Sequence, residues 1–397
     1  MNERTEKKEK RARALLVLGG CLFALAVAEV TLRLAFPLPS GNFIHRPNLV
    51  RTFRPSPGVM PGVEGESEFR VNSLGIRGSE IPEGKTHRIL AIGGSTTECL
   101  YLDQTEAWPE LLEERLNASV STPEVWIGNA GKTGVSTREH RLQIPILLDD
   151  IKRIDRVILL AGVNDLLLRL AVDDRYDPDF VVKPGSREFL MSRAFDMVRP
   201  ATDVHRVPFF PRRFIGLSLQ LFGSLLGYQE KETPTHLVED EAGRLYIERR
   251  RFRKNRMGTR DTLPDLSTGL REFGKNLTDC IQAAKDRKVD IVLVSQPVLW
   301  SDTLTPDQED LLWTGGVGSI SGENLEYYST SALAAGMQKY NDRMKELATK
   351  ESIPFYDLAE HLPKDTTVFY DDCHFNEQGA ERVADQLTEF LLAELPN

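Results

Sequence analysis

Short apolar runs alternate with amphipathic segments of helical length from residue 87 to the C-terminus. Runs rich in Ile, Leu and Val predict strands at 88–92, 125–127, 156–160, 291–294 and 354–356. Apolar residues three and four positions apart predict helices at 108–116, 138–147, 266–287, 334–350 and 376–395. This regular alternation predicts an α/β fold with a five-stranded parallel sheet that is flanked by helices on both faces.

The alternation is interrupted from residue 166 to about residue 264. A stretch of this length is too long for a bare loop in a compact domain, so we predict a large insertion. Within it, residues 214–228 are uncharged and apolar along one helical face, but the segment is too short to span a membrane. It is either a lid or membrane-lying helix or, as we prefer, a helix packed on the main domain. Residues 235–253 predict a hairpin that turns at 241–243.

The N-terminus has the pattern of an export signal. Residues 1–13 carry six basic and three acidic side chains, and an uncharged run follows at 14–28. We predict a basic cytoplasmic arm at 1–13, a single-pass transmembrane signal-anchor at 14–36 and an extracytoplasmic remainder. Two alternatives are cleavage after the small residues 26–28 and, less favoured, lipid attachment at Cys21. Residues 37–84, rich in Pro, Gly and Ser, predict a tether and an irregular wrap over the domain.

The net charge of −9 argues against a nucleic-acid partner, which requires a basic surface. One segment departs from this balance, because seven Arg and Lys residues lie between 249 and 260. We interpret this cluster as a solvated face, with an anionic glycan or a phospholipid headgroup as the alternative ligand. The four cysteines show no CxxC spacing and too low a density for a zinc site or a disulfide scaffold.

Three predicted strands end in stretches that combine glycine with a polar residue. They are Gly93-Gly94-Ser95-Thr96, Asn129-Ala130-Gly131-Lys132-Thr133-Gly134 and Gly162-Val163-Asn164-Asp165. In a parallel sheet these ends lie at one edge, where ligands bind. A serine that opens a helix after two glycines exposes its hydroxyl and its N–H together, and an Asn amide can donate to an oxyanion. Taken singly, each stretch also fits a plain helix cap or turn.

A fourth stretch, 370–376, precedes the last helix and contains Asp371, Asp372 and His374. His374 is the one histidine of the seven with a carboxylate three residues before it. That spacing in a turn lets Asp371 orient the imidazole and leaves the second ring nitrogen free to accept a proton. A metal site formed by the same three residues is the alternative, which we disfavour because no second histidine is clustered with them.

Together the four stretches resemble the blocks of the SGNH (GDSL-like) hydrolase superfamily over residues 87–165 and 285–395. The resemblance implies a flavodoxin-like, three-layer SGNH domain at 85–397. It makes Ser95 the nucleophile, Asp371 and His374 the rest of the catalytic triad, and Ser95, Gly134 and Asn164 the oxyanion-hole donors. One departure is that Gly94 stands where the family motif Gly-Asp-Ser-Leu has Asp, which puts substrate assignment by subfamily in doubt.

The resemblance implies an ester hydrolase that acts through an acyl-serine intermediate, without metal or other cofactor. With the predicted anchor, we expect an envelope-associated acyl ester as substrate, either a glycan O-acyl group or a lipid. The alternative is an O-acyltransferase that uses the same triad on a cell-surface polysaccharide. A catalytically silent glycan-binding scaffold is a third hypothesis, and the intact Ser95, Asn164, Asp371 and His374 argue against it.

The same resemblance suggests a disulfide. Cys99 follows Ser95 by one helical turn and Cys373 adjoins His374, so the site brings the two cysteines near each other. We therefore state a Cys99–Cys373 bond as a hypothesis, on condition that their Cα atoms lie within about 7 Å.

Overall fold

The computed structural model describes residues 3–35, 42–84, 87–119, 124–172, 176–177, 193–197 and 236–394. Helix α1 (Glu3–Ala35) belongs to one unit of the chain, and Phe43–Asp196 with Thr235–Asn397 forms a second, compact unit. Within α1, Lys7–Ala28 has a mean hydropathy of 1.8 and is, among the described helices, the one able by length and composition to cross a membrane. A signal sequence has the same properties, so both the anchor and its orientation stay predictions.

The strands of the described chain are short and are spread along its length. They are β1 (Asn42–Phe43), β2 (Val50–Pro55), β3 (Ser67–Arg70), β4 (His87–Gly93), β5 (Val125–Gly131), β6 (Arg156–Leu160), β7 (Asp196–Met197), β8 (His236–Ala242), β9 (Gly258–Arg260), β10 (Asp290–Val294), β11 (Glu326–Tyr328) and β12 (Phe355–Tyr356).

The helices after α1 fall mainly between the strands of the central sheet. They are α2 (Ser95–Glu98), α3 (Trp108–Ala118), α4 (Thr137–Asp150), α5 (Val163–Val172), α6 (Arg244–Lys254), α7 (Ser267–Asp286), α8 (Pro306–Glu309), α9 (Thr330–Glu351), α10 (Leu358–His361) and α11 (Glu377–Glu394).

Five strands form the central sheet in the order β5-β4-β6-β10-β12, and every neighbouring pair is parallel. All residues of β5 and β6 are buried, as expected for strands covered on both faces. The predicted five-stranded parallel α/β fold is therefore confirmed. Gly93 at the end of β4 pairs with Gly131 of β5 and with Leu160 of β6, so three strand ends meet at one edge of the sheet.

The helices cover both faces, because a right-handed crossover changes side where the strand order reverses direction, and the β4-to-β5 connection runs opposite to the later ones. In one group α3 packs against α11, and in the other α7 packs against α4 and α9. Side chains fix some of the helix starts. For α4, the Ser136 hydroxyl accepts a hydrogen bond from the Arg138 N–H, and the Glu139 carboxylate accepts one from the Ser136 N–H. The five helices predicted from periodicity are present, with ends shifted by a few residues.

A second sheet forms where the sequence predicted a wrap and an insertion. Strand β2 pairs antiparallel with β3 and parallel with β8. The predicted hairpin over 235–253 was wrong, because the chain continues after Gly243 as helix α6 instead of returning as a strand. Gly243 ends the strand with a φ of +81°, and the Arg, Leu and Glu residues that follow are strong helix formers. The predicted helix at 214–228 lies outside the described residues.

Arg77 connects the segment before the central sheet to the segment that follows Ser95. Its side chain is fully buried and donates five hydrogen bonds of 2.5 to 3.1 Å. The acceptors are the carbonyl oxygens of Glu98, Cys99, Leu102 and Asp103 and the side-chain oxygen of Gln104. The guanidinium also lies 4.6 Å from the ring centroid of Phe69 in β3. Among the described residues Arg77 is the donor to the carbonyl oxygen of Leu102, whereas the carbonyl oxygens of Cys99 and Asp103 also accept the backbone N–H groups of Leu102 and Glu106.

We expect Arg77→Met to lower the free energy of unfolding by about 3–5 kcal/mol, because it removes all five hydrogen bonds of a buried side chain and leaves the carbonyl oxygen of Leu102 without its donor. The measurement is urea unfolding of the detergent-solubilised full chain, followed by tryptophan fluorescence. Arg271→Met, at an exposed position of α7, is the matched control and should change stability by no more than about 0.5 kcal/mol. Equal losses in the two variants would contradict the role of Arg77.

Candidate active site

Ser95 lies at the turn between β4 and α2, as the first residue of that one-turn helix. The N–H of a first helical residue has no partner within the helix, and the Ser95 N–H has no acceptor among the described residues. A Cβ atom on Gly94 would lie 2.5 Å from Nδ2 of Asn164, so a side chain at position 94 has no room. Glycine at this position therefore lets the Asn164 amide approach the backbone of the serine turn.

The ends of β5 and β6 supply the neighbours of this turn. Asn164, the second residue of α5, donates from Nδ2 to the carbonyl oxygen of Val135 at 2.7 Å. The preceding Gly134 has a φ of +74°, which favours glycine, and its N–H has no acceptor in the part of the chain that the structure describes. The structure thus brings Ser95, Gly134 and Asn164 together at one edge of the sheet.

His374 approaches Ser95 from the turn before α11. Its Nε2 lies 2.7 Å from Oγ of Ser95, and its Nδ1 lies 2.7 Å from Oδ2 of Asp371. Oδ1 of Asp371 accepts hydrogen bonds from the N–H groups of Cys373 at 3.0 Å and of His374 at 2.9 Å. The Tyr370 ring stacks on the imidazole with centroids 5.5 Å apart. The turn itself therefore fixes the orientation of both the carboxylate and the imidazole.

Burial and pairing act in opposite directions on the pKa values of this pair. Burial alone would raise the pKa of Asp371, but the positive charge and hydrogen bond of His374 and further donors lower it to about 2. Burial alone would lower the pKa of His374, but the Asp371 charge raises it well above the usual value. Asp371 is therefore ionised at neutral pH, and it stabilises a proton on the imidazole.

Two tryptophans and one threonine donate to the buried carboxylates of this turn. The Trp313 indole N–H donates to Asp371 at 2.9 Å, and the Trp300 indole N–H donates to Asp372 at 2.8 Å. Asp372 also accepts from the backbone N–H of Trp313 at 2.9 Å and from the Thr314 hydroxyl at 2.7 Å. Sequence reasoning missed these donors, since they lie 58 to 72 residues before the turn.

The arginine-rich segment is only partly a solvated face. Arg251 and Lys254 are exposed, but Arg253 is buried and donates to the carbonyl oxygens of Thr314 and Tyr328. Arg250 donates to the carbonyl oxygens of Tyr370 at 2.9 Å, Leu311 at 3.0 Å and Val59 at 2.5 Å. The interpretation as a solvated face was therefore wrong for these two arginines. Sequence alone gives no sign that backbone carbonyls far along the chain converge on them.

The metal alternative depends on the same turn. Ligand atoms of Asp371, Cys373 and His374 lie within 4.8 Å of one another. Both oxygens of Asp371 already accept protein hydrogen bonds, and its bond to Nδ1 of His374 would have to break for a metal to bind between them. The carboxylate of Asp372 accepts from Trp300 and Thr314 instead of sharing a ligand cluster with His374. The geometry favours a hydrogen-bonded Asp–His pair.

The disulfide hypothesis was wrong, because Cys99 and Cys373 are both free and buried. The Cys99 thiol lies 3.4 Å from the carbonyl oxygen of Thr96, and the Cys373 thiol lies 3.9 Å from Nδ1 of His374. Burial raises the pKa of both thiols, that of Cys99 to about 11. Proximity to the same site did not bring the two sulfur atoms together.

Comparison with known proteins gives the class of this chain. The sequence profile of the GDSL-like Lipase/Acylhydrolase family matches residues 91–382. No curated protein sequence matches the chain. The chain belongs to the GDSL-like lipase/acylhydrolase family. It is a serine ester hydrolase of the SGNH type.

Three solved structures are among those to which this chain is similar. A lipolytic G-D-S-L family protein from Veillonella parvula is 14% identical and aligns over 77% of this chain and 99% of its own, with a TM-score of 0.39. The acetylxylan esterase Axe2 from Geobacillus stearothermophilus is 13% identical over 77% of this chain and 94% of its own, with a TM-score of 0.38. A carbohydrate acetylesterase family member from Sinorhizobium meliloti is 10% identical over 78% and 98%, with a TM-score of 0.40. These likenesses are too distant to bear on the substrate.

Proposed function

We propose that Ser95, His374 and Asp371 form a catalytic triad that hydrolyses an acyl ester outside the cytoplasm. The observation that carries this proposal is the unbroken hydrogen-bonded series from Ser95 Oγ to His374 Nε2 and from His374 Nδ1 to Asp371, with both distances at 2.7 Å. A serine hydroxyl is a weak nucleophile until a base accepts its proton, and the imidazole stands where that base is needed.

The reaction proceeds in two halves. Ser95 Oγ attacks the ester carbonyl carbon while its proton passes to Nε2 of His374, and the alcohol leaves with that proton as acyl-Ser95 forms. Water then attacks the acyl group, gives a proton to His374 and releases the carboxylic acid, after which Ser95 recovers its proton. Throughout, Asp371 stays ionised and stabilises the imidazolium, in agreement with its low pKa.

We propose that the N–H groups of Ser95 and Gly134 and the Asn164 amide form the oxyanion hole. Such donors stabilise the negative charge that develops on the carbonyl oxygen during attack. Supporting this role, both N–H groups lack an acceptor among the described residues, and the Asn164 amide lies against the serine turn. Asn164 currently donates to Val135, which holds the amide in place with one N–H still available.

We propose a glycan O-acyl group or a lipid of the cell envelope as the substrate, because the N-terminal apolar helix suits a signal-anchor. Hydrolysis and acyl transfer to a sugar hydroxyl would use the same triad. Product analysis with a polysaccharide acceptor separates them, since transfer gives an acylated sugar and hydrolysis gives free acid.

We expect Ser95→Ala and His374→Ala each to abolish ester turnover, and Asp371→Asn to lower kcat by roughly four powers of ten because the imidazole loses its orienting carboxylate. Asn164→Ala should cost less, about 100- to 1000-fold in kcat, because it removes one oxyanion donor of three. The measurements are turnover of phenyl acetate and labelling by a fluorophosphonate. Full activity in a folded Ser95→Ala variant, or labelling at another serine, would exclude this triad.

We expect Trp313→Phe to move the acidic limb of the kcat/KM pH profile to higher pH. Without the indole donor, Asp371 interacts more strongly with the imidazolium, so the pKa of His374 rises further and a higher pH is needed to free the base. Trp300→Phe is the matched control, because its indole donates to Asp372 and not to Asp371. We expect Trp300→Phe to lower stability without shifting the limb, and the same shift in both variants would contradict this assignment.

We expect the N-terminal helix to remain attached to the mature protein and the hydrolase domain to face outside, because six basic residues precede the apolar run. A C-terminal tag on intact cells or spheroplasts should then be sensitive to added protease. Protection of the tag would reverse the orientation, and mature protein beginning at residue 29 would show cleavage instead of anchoring.

A further inference from the structure

A short described segment, 193–197, packs against the loop that follows β5. The carbonyl oxygen of the buried Ala194 accepts a hydrogen bond from Gln143 at 2.7 Å, and Phe195 is buried in the core. The carboxylate of Asp196 lies 2.7 Å from Nζ of Lys132 in that loop. These contacts fix the backbone directly after Arg193, so the arginine occupies a defined position.

Arg193 extends from this fixed segment over Gly134. Its Nη1 lies 2.9 Å from the position that a Cβ atom on Gly134 would occupy, and the arginine is exposed. Among the described residues it has no hydrogen-bond or ion-pair partner. The neighbouring Lys132 is paired with Asp196, whereas Arg193 has no carboxylate partner within the part of the chain that the structure describes.

The loop under Arg193 lies beside the turn that carries Ser95. Gly134 precedes Val135, whose carbonyl oxygen accepts from the Asn164 amide, and that amide lies against the residue before Ser95. An ester whose carbonyl oxygen is held by these donors would place its substituents close to the guanidinium. A guanidinium fork matches the geometry of carboxylate, phosphate and sulfate groups.

We propose that Arg193 determines specificity by binding a negative charge on the substrate, so that the preferred substrates are acyl esters with an anionic group close to the ester bond. This inference rests on the proposed Ser95 triad. It narrows the envelope substrates to acidic saccharides or anionic lipids, which share that chemistry.

The test compares three small esters with the full chain in detergent. Phenyl acetate is neutral, 4-acetoxybenzoate carries its carboxylate on the alcohol side, and phenyl hemisuccinate carries it on the acyl side. The specificity ratio is kcat/KM for an anionic ester divided by kcat/KM for phenyl acetate. We expect this ratio to fall about tenfold in Arg193→Gln for at least one of the two anionic esters. Arg193→Glu should lower this ratio further, and added salt should reduce the ratio of the wild type.

Arg153→Gln is the matched control, because Arg153 is an exposed arginine just before β6, at the opposite edge of the sheet. It should leave the ratio unchanged, and turnover of phenyl acetate reports that each variant is folded. An unchanged ratio in Arg193→Gln, or an equal fall in Arg153→Gln, would overturn the inference while leaving the triad intact. Absence of phenyl acetate hydrolysis in the wild type would instead count against the proposed function. Phenyl hemisuccinate and 4-acetoxybenzoate together show on which side the charge is recognised.

Discussion

Two adjacent carboxylates, Asp371 and Asp372, are fully buried, and the rest of the active site depends on how they are satisfied. A buried charge without donors is so costly that the turn could not exist by itself. Two donors to Asp371 are N–H groups of the turn itself, and the others come from elsewhere, through the indoles of Trp300 and Trp313 and through Thr314. The placement of His374 against Ser95 therefore depends on the packing of segment 300–314 on the turn. Trp300, Trp313 and Thr314 take no part in the proposed reaction, but they hold the turn from which His374 contacts Ser95.

The pKa values of the two carboxylates shift in opposite directions, although Asp371 and Asp372 are neighbours in sequence. Burial and the adjacent negative charge raise the pKa of Asp372, whereas the charge of His374 and the hydrogen bonds to Asp371 outweigh burial and lower its pKa to about 2. This separation keeps the negative charge beside the imidazole, where the proposed mechanism needs it, and leaves Asp372 to join Trp300 and Thr314 to the turn. Environment, and not residue type, therefore separates the two roles.

Local patterns predicted the five strands of the central sheet and five of the helices that flank it. They also indicated the residues of the proposed site, because strand ends of a parallel sheet converge and because Asp371 and His374 lie within one turn. Long-range contacts left no such pattern. Nothing local shows that β8 pairs with β2, that Arg77 serves four carbonyls or that Trp313 donates to Asp371. The hairpin prediction failed because the helix-forming residues after Gly243 continue as α6, while β8 pairs with the distant β2. The Cys99–Cys373 prediction failed because proximity to one site does not fix sulfur geometry.

Residues 59–64 lie between the N-terminal helix and the central sheet, in a region whose composition predicted only a tether and a wrap. They contact the start of α11 and, through Arg250, the turn that carries His374. The Glu377 N–H donates to the carbonyl oxygen of Gly62 at 3.1 Å, and its carboxylate accepts from the Glu64 N–H at 2.7 Å. Arg250 joins the carbonyl oxygen of Val59 to that of Tyr370, which precedes Asp371. The start of α11 and the turn that carries Asp371 and His374 are therefore supported by residues 59–64. Because these contacts hold the turn that carries His374, the hydrolase domain includes residues 59–64 and does not begin at the first strand of the central sheet.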